Sequence, residues 1–307
     1  MIGIQQIGVY IPDRKIENAT KRNAHNITKE FLENKIGIQS VSRMTDGEKA
    51  SDLCVHAFAD LLAKGGAQPQ RIDFICVCTQ NGDYRLPQTS AIVHEKLGLQ
   101  YTCAAMDIGL GCSGYVYMLL VARSFMESND LRCGVIFTSD PYSTIIDPAD
   151  KNTDLLFGDA ATATLLADDA EYDIGKGAFG TDGEKHAALI KRNNEKLFMD
   201  GRSIYNFALR TVPHNIQNCF EVNGISPEMV DVFIFHQASK FLIDALAQKM
   251  KIDTRKVPFR IQHYGNTVSS SIPIILKDYI GDQSAETLLL SGFGVGLSVA
   301  SLVLRRR

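Results

Sequence analysis

Apolar runs of strand length alternate along the chain with amphipathic stretches of helix length, a pattern that fits sheets covered by helices and places the protein in the α/β class. The clearest strands are predicted at Phe74 to Cys78, Gly134 to Thr138, Ala161 to Ala167, Val232 to His236, Thr287 to Ser291 and Leu297 to Leu304. The first, second and fourth are near-continuous hydrophobic runs, so both faces of their sheets are expected to be covered. Helices follow from period and stop signals. Between Ser51 and Lys64, the residues Leu53, Cys54, Ala57, Phe58, Leu61 and Leu62 make one stripe, closed by Gly65-Gly66. A second helix is predicted from about Ile204 to Val222, ending at Gly224 and kinked at Pro213, because a mid-helix proline removes one backbone hydrogen bond.

The two halves of the chain echo each other. Asp73-Phe74-Ile75-Cys76-Val77-Cys78 and Asp231-Val232-Phe233-Ile234-Phe235-His236 both follow a helix and a short polar turn. The turn and strand from Phe157 to Leu166 parallel those from Phe293 to Leu302, 136 residues further on. The pattern reads as a duplicated α/β unit, joined in the polar stretch 167–176 and giving halves 1–170 and 171–307.

Composition removes several classes of function. With 45% hydrophobic and 22% charged residues, the chain can bury a large core, which excludes disorder as its main state. A net charge of -3 gives no support for nucleic-acid or membrane-surface binding. No apolar run approaches the roughly 18 residues of a spanning helix, so no membrane insertion is expected. Seven cysteines and an opening MIGIQQIGVYIPD without signal-peptide regions point to a reducing cytoplasm.

The candidate chemistry centres on Gly109-Leu110-Gly111-Cys112-Ser113-Gly114, which separates the strand-like Ala104 to Ile108 from an amphipathic segment, Tyr115 to Met126. That arrangement sets Cys112 at a helix N-terminus, where backbone N–H groups and the dipole favour the attacking thiolate. The flanking glycines allow a tight turn and a close approach by substrate. Against this stands the plainer reading of Cys112 as a small buried residue, which is the default for the other six cysteines. Possible partners lie downstream. His236 ends a buried strand, where α/β folds place reactive groups, and Asn266 in His263-Tyr264-Gly265-Asn266-Thr267 offers an amide donor. The loop Gly292-Phe293-Gly294-Val295-Gly296 can aim N–H groups at an oxyanion, but lacks the Lys-Ser/Thr and the helix of a phosphate loop. No metal site is indicated.

These motifs, with Asp147-Pro148-Ala149-Asp150, Phe157-Gly158-Asp159-Ala160-Ala161, His236-Gln237-Ala238 and Tyr264-Gly265-Asn266-Thr267, resemble in order and spacing those of the thiolase-fold condensing enzymes, and among them the ketoacyl-acyl-carrier-protein synthase III family. The resemblance covers nearly the whole chain. It implies a five-layered αβαβα sandwich in a homodimer, with Cys112 as the acylated nucleophile. His236 and Asn266 would hold a malonyl thioester carbonyl, and the N–H groups of Cys112 and Val295 would form the oxyanion hole. Phe157, Gly201 and Tyr205 fall among the substrate-binding positions. The implied partners are acyl-CoA, as substrate rather than tightly bound cofactor, and malonyl-acyl-carrier protein. The implied reaction acylates Cys112 and then attacks that acyl group with the carbanion left by malonyl decarboxylation.

Several positions depart from the family pattern. The chain has no Trp, and Phe31 and Lys35 stand where the commonest bacterial members sandwich adenine between Trp and Arg, while Lys151 replaces another phosphate-contacting Arg. A weaker CoA site and a carrier-protein donor are both compatible with this. Leu86 stands where an aromatic from the dimer mate commonly closes the acyl tunnel, which favours a longer primer, whereas Val268 is larger than the usual residue and pushes the other way. Residues 240–260 are rich in Lys and Arg, offering Lys240 and Lys249 as a carrier-protein docking patch or simply as a solvated helix face. The rival activities are acyl transfer to an alcohol, amine or other non-malonyl acceptor, and a non-catalytic partner subunit. Degradative thiolase chemistry needs a second cysteine near the C-terminal glycine loop, and none is there.

Overall fold

The computed structural model describes all of residues 1–307. Nine strands join in one sheet: β1 (Gly3–Tyr10), β2 (Phe74–Cys78), β3 (Ala104–Ile108), β4 (Cys133–Ser139), β5 (Ala161–Ala167), β6 (Tyr172–Thr181), β7 (Val232–Phe235), β8 (Thr287–Gly294) and β9 (Ser298–Arg306). The main helices are α1 (Ala50–Ala63), α2 (Thr89–Lys96), α3 (Gly114–Ser128), α4 (Gly201–Asn223), α5 (Lys240–Met250) and α6 (Ser271–Leu276). Helix α4 is continuous through Pro213 and stops at Gly224, whose φ of 62° is the left-handed geometry that glycine adopts without cost. No helix is long and apolar enough to cross a membrane.

The spatial order is β7-β8-β9-β6-β1-β5-β4-β2-β3. At its centre β1 and β6 share only two residue pairs, Gly3 with Asp173 and Ile4 with Tyr172. The same sequence of pairings runs outward on each side of that seam. β1 is antiparallel to β5, β5 to β4, and β4 is parallel to β2. Correspondingly, β6 is antiparallel to β9, β9 to β8, and β8 is parallel to β7. Thus β2 matches β7 and β5 matches β9, the two equivalences expected from the internal repeat. Only β3 has no counterpart. The chain passes from one half to the other through residues 168–171, between β5 and β6.

The alternation within single strands explains both the continuous hydrophobic runs and the layering. Phe74, Cys76 and Cys78 of β2 enter a core shared with Tyr115, Val116 and Leu119 of α3, while Ile75 and Val77 point the other way, into a core with Leu53, Ala57 and Phe58 of α1. In β7, Ile234 faces the α3 core, and Phe233 and Phe235 face Val212 and Ile216 of α4 and Leu246 of α5. Helix α3 packs on strands of both halves, as does α6, so these two form the middle layer. With α1 and α2 outside one half and α4 and α5 outside the other, the result is the expected five-layered αβαβα sandwich. Each half delivers a residue to the start of a central helix: Cys112 just before α3, and Asn266 in the turn before α6.

Candidate active site

Cys112 is 5% exposed and sits in the turn from β3 to α3. None of Gly109, Gly111 and Gly114 takes a left-handed φ, so the turn itself does not demand glycine. Packing does at two of them. A Cβ on Gly111 would lie 2.5 Å from Gln80 Oε1 and 2.7 Å from Val295 Cγ1, and one on Gly114 would collide with Cys78 Sγ, whereas Gly109 has open space. On β8, a Cβ on Gly292 would lie 2.6 Å from the Cys112 carbonyl oxygen, and one on Gly294 2.7 Å from Cys112 Sγ. Two glycine-bearing segments therefore pass against each other with no room for a side chain, and the cysteine is pressed between them.

The resting electrostatics correct the expectation of a ready thiolate. Burial pushes the Cys112 thiol up to about 12, the backbone N–H groups of Val295 and of Cys112 pull it back, and the carboxylate of Asp140 pushes the same way as burial. Because α3 starts only at Gly114, the sulfur lies outside the first helical turn, and desolvation wins over the helix terminus. The two N–H groups that act on the sulfur are the pair expected to form an oxyanion hole.

His236 follows β7, with its N–H bonded to the Ser291 carbonyl at 2.8 Å. Its ring is buried, packs edge-on against Phe293 at 5.7 Å, and has Nδ1 2.7 Å from Ser271 Oγ. Burial lowers its pKa to about 3, so the imidazole is neutral at physiological pH. Asn266 is stitched by its backbone to the Phe157 segment: its N–H donates to the Leu156 carbonyl at 2.8 Å, and its carbonyl accepts from Gly158 N–H at 2.9 Å. Gly158 is obligatory there, since a Cβ would overlap the Tyr264 carbonyl. The Asn266 side-chain oxygen accepts from the Val268 N–H at 2.9 Å, which leaves the NH₂ end free to donate. That bond needs Val268 at φ +54°, an uncommon conformation for a β-branched residue and one held by complete burial.

A cavity of about 370 Å³ joins these groups; Cys112, Phe157, Gly201, Tyr205, His236 and Asn266 all line it. Its remaining wall is mostly apolar, with Leu156, Leu189, Met199, Ile204 and Phe293. Val295 is not on its wall but packs against the apolar cluster that contains Cys112. Phe31 and Lys35, expected on either side of an adenine, each neighbour a different side chain. Lys35 Nζ lies 3.5 Å from the centroid of the Phe241 ring, and it is Lys151 that faces Phe31, at 5.9 Å. Phe241 stacks on Tyr205 with centroids 5.2 Å apart and planes 13° off parallel.

One grouping expected from the sequence is not formed. Lys240 and Lys249 lie nine residues apart on α5, which is two and a half turns at 3.6 residues per turn, so they point to opposite sides and do not make one patch. Lys240 instead pairs with Asp244 at 2.5 Å and lines a second, more polar cavity with Glu33, Gly37 and Gln262. Leu86 is 84% exposed and lies outside the reactive cavity of its own chain.

Sequence reasoning missed three participants. Phe241 carried a signal, since it follows His236-Gln237-Ala238 within one helical turn of the α5 start. Asp140 is fully buried, accepts from Gln80 N–H at 2.8 Å and from the Ser269 hydroxyl, and has its pKa raised by burial to about 6. Ser271 belongs to the run Ser269-Ser270-Ser271, all buried, which composition alone would place on a surface loop.

Comparison with known proteins matches residues 106–183 to the domain described as 3-Oxoacyl-[acyl-carrier-protein (ACP)] synthase III and residues 220–306 to its C-terminal domain. The chain is 33% identical over 322 aligned residues to the β-ketoacyl-[acyl-carrier-protein] synthase III of Streptococcus mutans serotype c, covering 98% of each chain. Among solved structures, a 3-oxoacyl-(acyl-carrier-protein) synthase III superposes with a TM-score of 0.93 at 32% identity over 99% of both chains. A synthase III from Thermus thermophilus gives 0.93 at 29% identity, again over 99% of both.

Proposed function

The chain belongs to the 3-oxoacyl-[acyl-carrier-protein] synthase III family of condensing acyltransferases, and from that premise we propose that it loads an acyl group from acyl-CoA onto Cys112 and condenses it with malonyl-acyl-carrier protein. The observation that carries this reading is one cavity lined by Cys112, His236 and Asn266, with the N–H groups of Cys112 and Val295 acting on the sulfur.

In the first half-reaction the Cys112 sulfur attacks the thioester carbonyl. Oxyanion charge develops toward the two N–H groups, the C–S bond to CoA breaks, and the thiol proton ends on the departing CoA sulfur. In the second, malonyl thioester loses carbon dioxide. The negative charge moves onto its carbonyl oxygen, where His236 and Asn266 donate hydrogen bonds, and the carbanion attacks the acyl carbon, breaking its bond to the Cys112 sulfur, which takes a proton from solvent as the β-ketoacyl product leaves. A neutral donor pair suits that step, because the charge appears only as the bond to carbon dioxide breaks. A histidine whose pKa burial lowers to about 3 is a poor base, which disfavours the rival transfer to an alcohol or amine.

Two lysines support a CoA donor. Lys35 and Lys151, each beside an aromatic ring, offer charge to phosphate and a flat face to a base. A homodimer is supported by β3, an edge strand in which all five residues are half-buried and which leaves one row of backbone groups unpaired. In such a dimer the exposed Leu86 would reach the partner's cavity. The test follows carbon dioxide: enzyme acylated with a short acyl-CoA and then given malonyl-carrier protein should release carbon dioxide and β-ketoacyl product in equal amounts. Deacylation to an added alcohol or amine, without carbon dioxide, would favour the rival transferase.

A further inference from the structure

The role given to His236 needs a hydrogen on the ring nitrogen that faces the cavity. A neutral imidazole carries one proton, and which nitrogen holds it is decided by the partner of the other. Ser271 Oγ lies 2.7 Å from Nδ1, and the same oxygen already accepts the Gln237 N–H at 3.4 Å. These are its only hydrogen-bond partners. If Nδ1 carried the proton, two N–H groups would converge on one hydroxyl oxygen and the hydroxyl hydrogen would have no acceptor in a fully buried site. If the hydroxyl donates to Nδ1, its hydrogen has an acceptor and its oxygen keeps the Gln237 N–H. Resting on the reading of His236 as a donor to malonyl, we infer that Ser271 is a positioning residue that holds His236 as its Nε2–H tautomer.

The serine cannot easily turn away, because its neighbours are anchored separately. Ser269 binds Asp140 through both its N–H and its hydroxyl, and Ser270 Oγ lies 2.8 Å from Thr138 Oγ1. Two of three consecutive buried hydroxyls thus tie this turn to β4 and the residue that follows it, and the third reaches the histidine. Val268, whose N–H orients the Asn266 amide, lies in the same turn, so residues 266–271 both supply one malonyl donor and set the proton of the other.

Nitrogen-15 NMR of the whole enzyme labelled at histidine tests this, with the His236 signals identified among the seven histidines by their loss in His236→Gln. The wild-type enzyme should show a protonated-type Nε2 and an unprotonated Nδ1. Ser271→Ala should move both toward averaged values, and Ser271→Thr should restore them. Condensation should fall about tenfold in kcat in Ser271→Ala, less than the 10²–10³ expected for outright loss of a donor, with little change in KM or in Cys112 acylation. A wild-type spectrum with Nδ1 protonated, or an unchanged Nε2–H signature in Ser271→Ala, would overturn the inference. The tautomer shift without any loss of condensation would leave the positioning intact and refute the catalytic reading of His236.

Discussion

Gly294→Ala tests the packing of the nucleophile with little ambiguity. The new Cβ would sit 2.7 Å from Cys112 Sγ and 2.8 Å from Cys112 Cβ, where ordinary contacts are about 3.5–4.0 Å, so the sulfur must retreat by about 1 Å. Gly294 also has a φ of +156°, at the margin of what an L-residue accepts. Overpacking of this kind costs about 1–3 kcal/mol of stability, which a domain of this size should survive. A 1 Å displacement of a reacting atom costs on the order of 10² in rate. Intact-protein mass spectrometry of acyl-Cys112 formation should therefore show about a hundredfold slower acylation, with circular dichroism reporting a folded protein. Gly109→Ala is the internal control, since nothing lies within 4 Å of its Cβ and its φ is not left-handed. Acylation of Gly294→Ala within a few-fold of wild type would refute the reasoning, as would equal damage from Gly109→Ala, which would mean that the turn needs flexible glycines rather than close approach.

Asp140→Asn removes a buried negative charge that disfavours the thiolate, so the Cys112 thiol pKa should fall and the pH profile of its alkylation by iodoacetamide should move to lower pH; an unmoved profile would contradict this. Lys240→Glu, beside the cavity-lining Ser239 and Phe241, should raise KM for malonyl-carrier protein in a salt-sensitive way, while Lys249→Glu on the opposite side of α5 should not; equal effects would argue for a single patch. His236 has its pKa lowered to about 3 from an ordinary value of 6.5, so the folded state binds fewer protons than the unfolded chain between those values, and its contribution to stability is lost as pH falls through that window. His236→Gln should accordingly show a shallower loss of melting temperature from pH 6.5 toward pH 4 than wild type, and parallel curves would refute the assignment of a buried neutral ring.

The strands were legible where both faces are covered. Phe74–Cys78 is found at the predicted residues because an unbroken apolar run has few alternatives to a buried strand, and Ala104–Ile108 and Ala161–Ala167 also fall where expected although Asp107, Thr162 and Thr164 interrupt them. Strand β6 was not legible: Tyr172–Thr181 contains three glycines and a lysine, and its pairing with β9 is a tertiary decision. That Cys112, His236 and Asn266 belong to one site was readable from motif order alone, and the three line one cavity. Its supports were harder to read, because Ser271, Asp140 and Phe241 act through partners 35, 129 and 36 residues away, at His236, Ser269 and Tyr205, and only Phe241 is marked locally, by the motif it follows. The thiol's resting state was misread for a related reason, since a helix terminus shows in the sequence and the depth of burial around it does not.

The central claim divides the chemistry between two sets of groups, Cys112 with its N–H donors for acylation and His236 with Asn266 for condensation. Mass spectrometry of His236→Ala and Asn266→Ala enzymes, first incubated with a short acyl-CoA and then with malonyl-carrier protein, measures both halves in one experiment. The expected result is near-complete acylation of the peptide carrying Cys112, followed by condensation slower than wild type by about 10²–10³. Acylation lost in step with condensation, or a label found on Cys103 or Cys133, would contradict that division of labour.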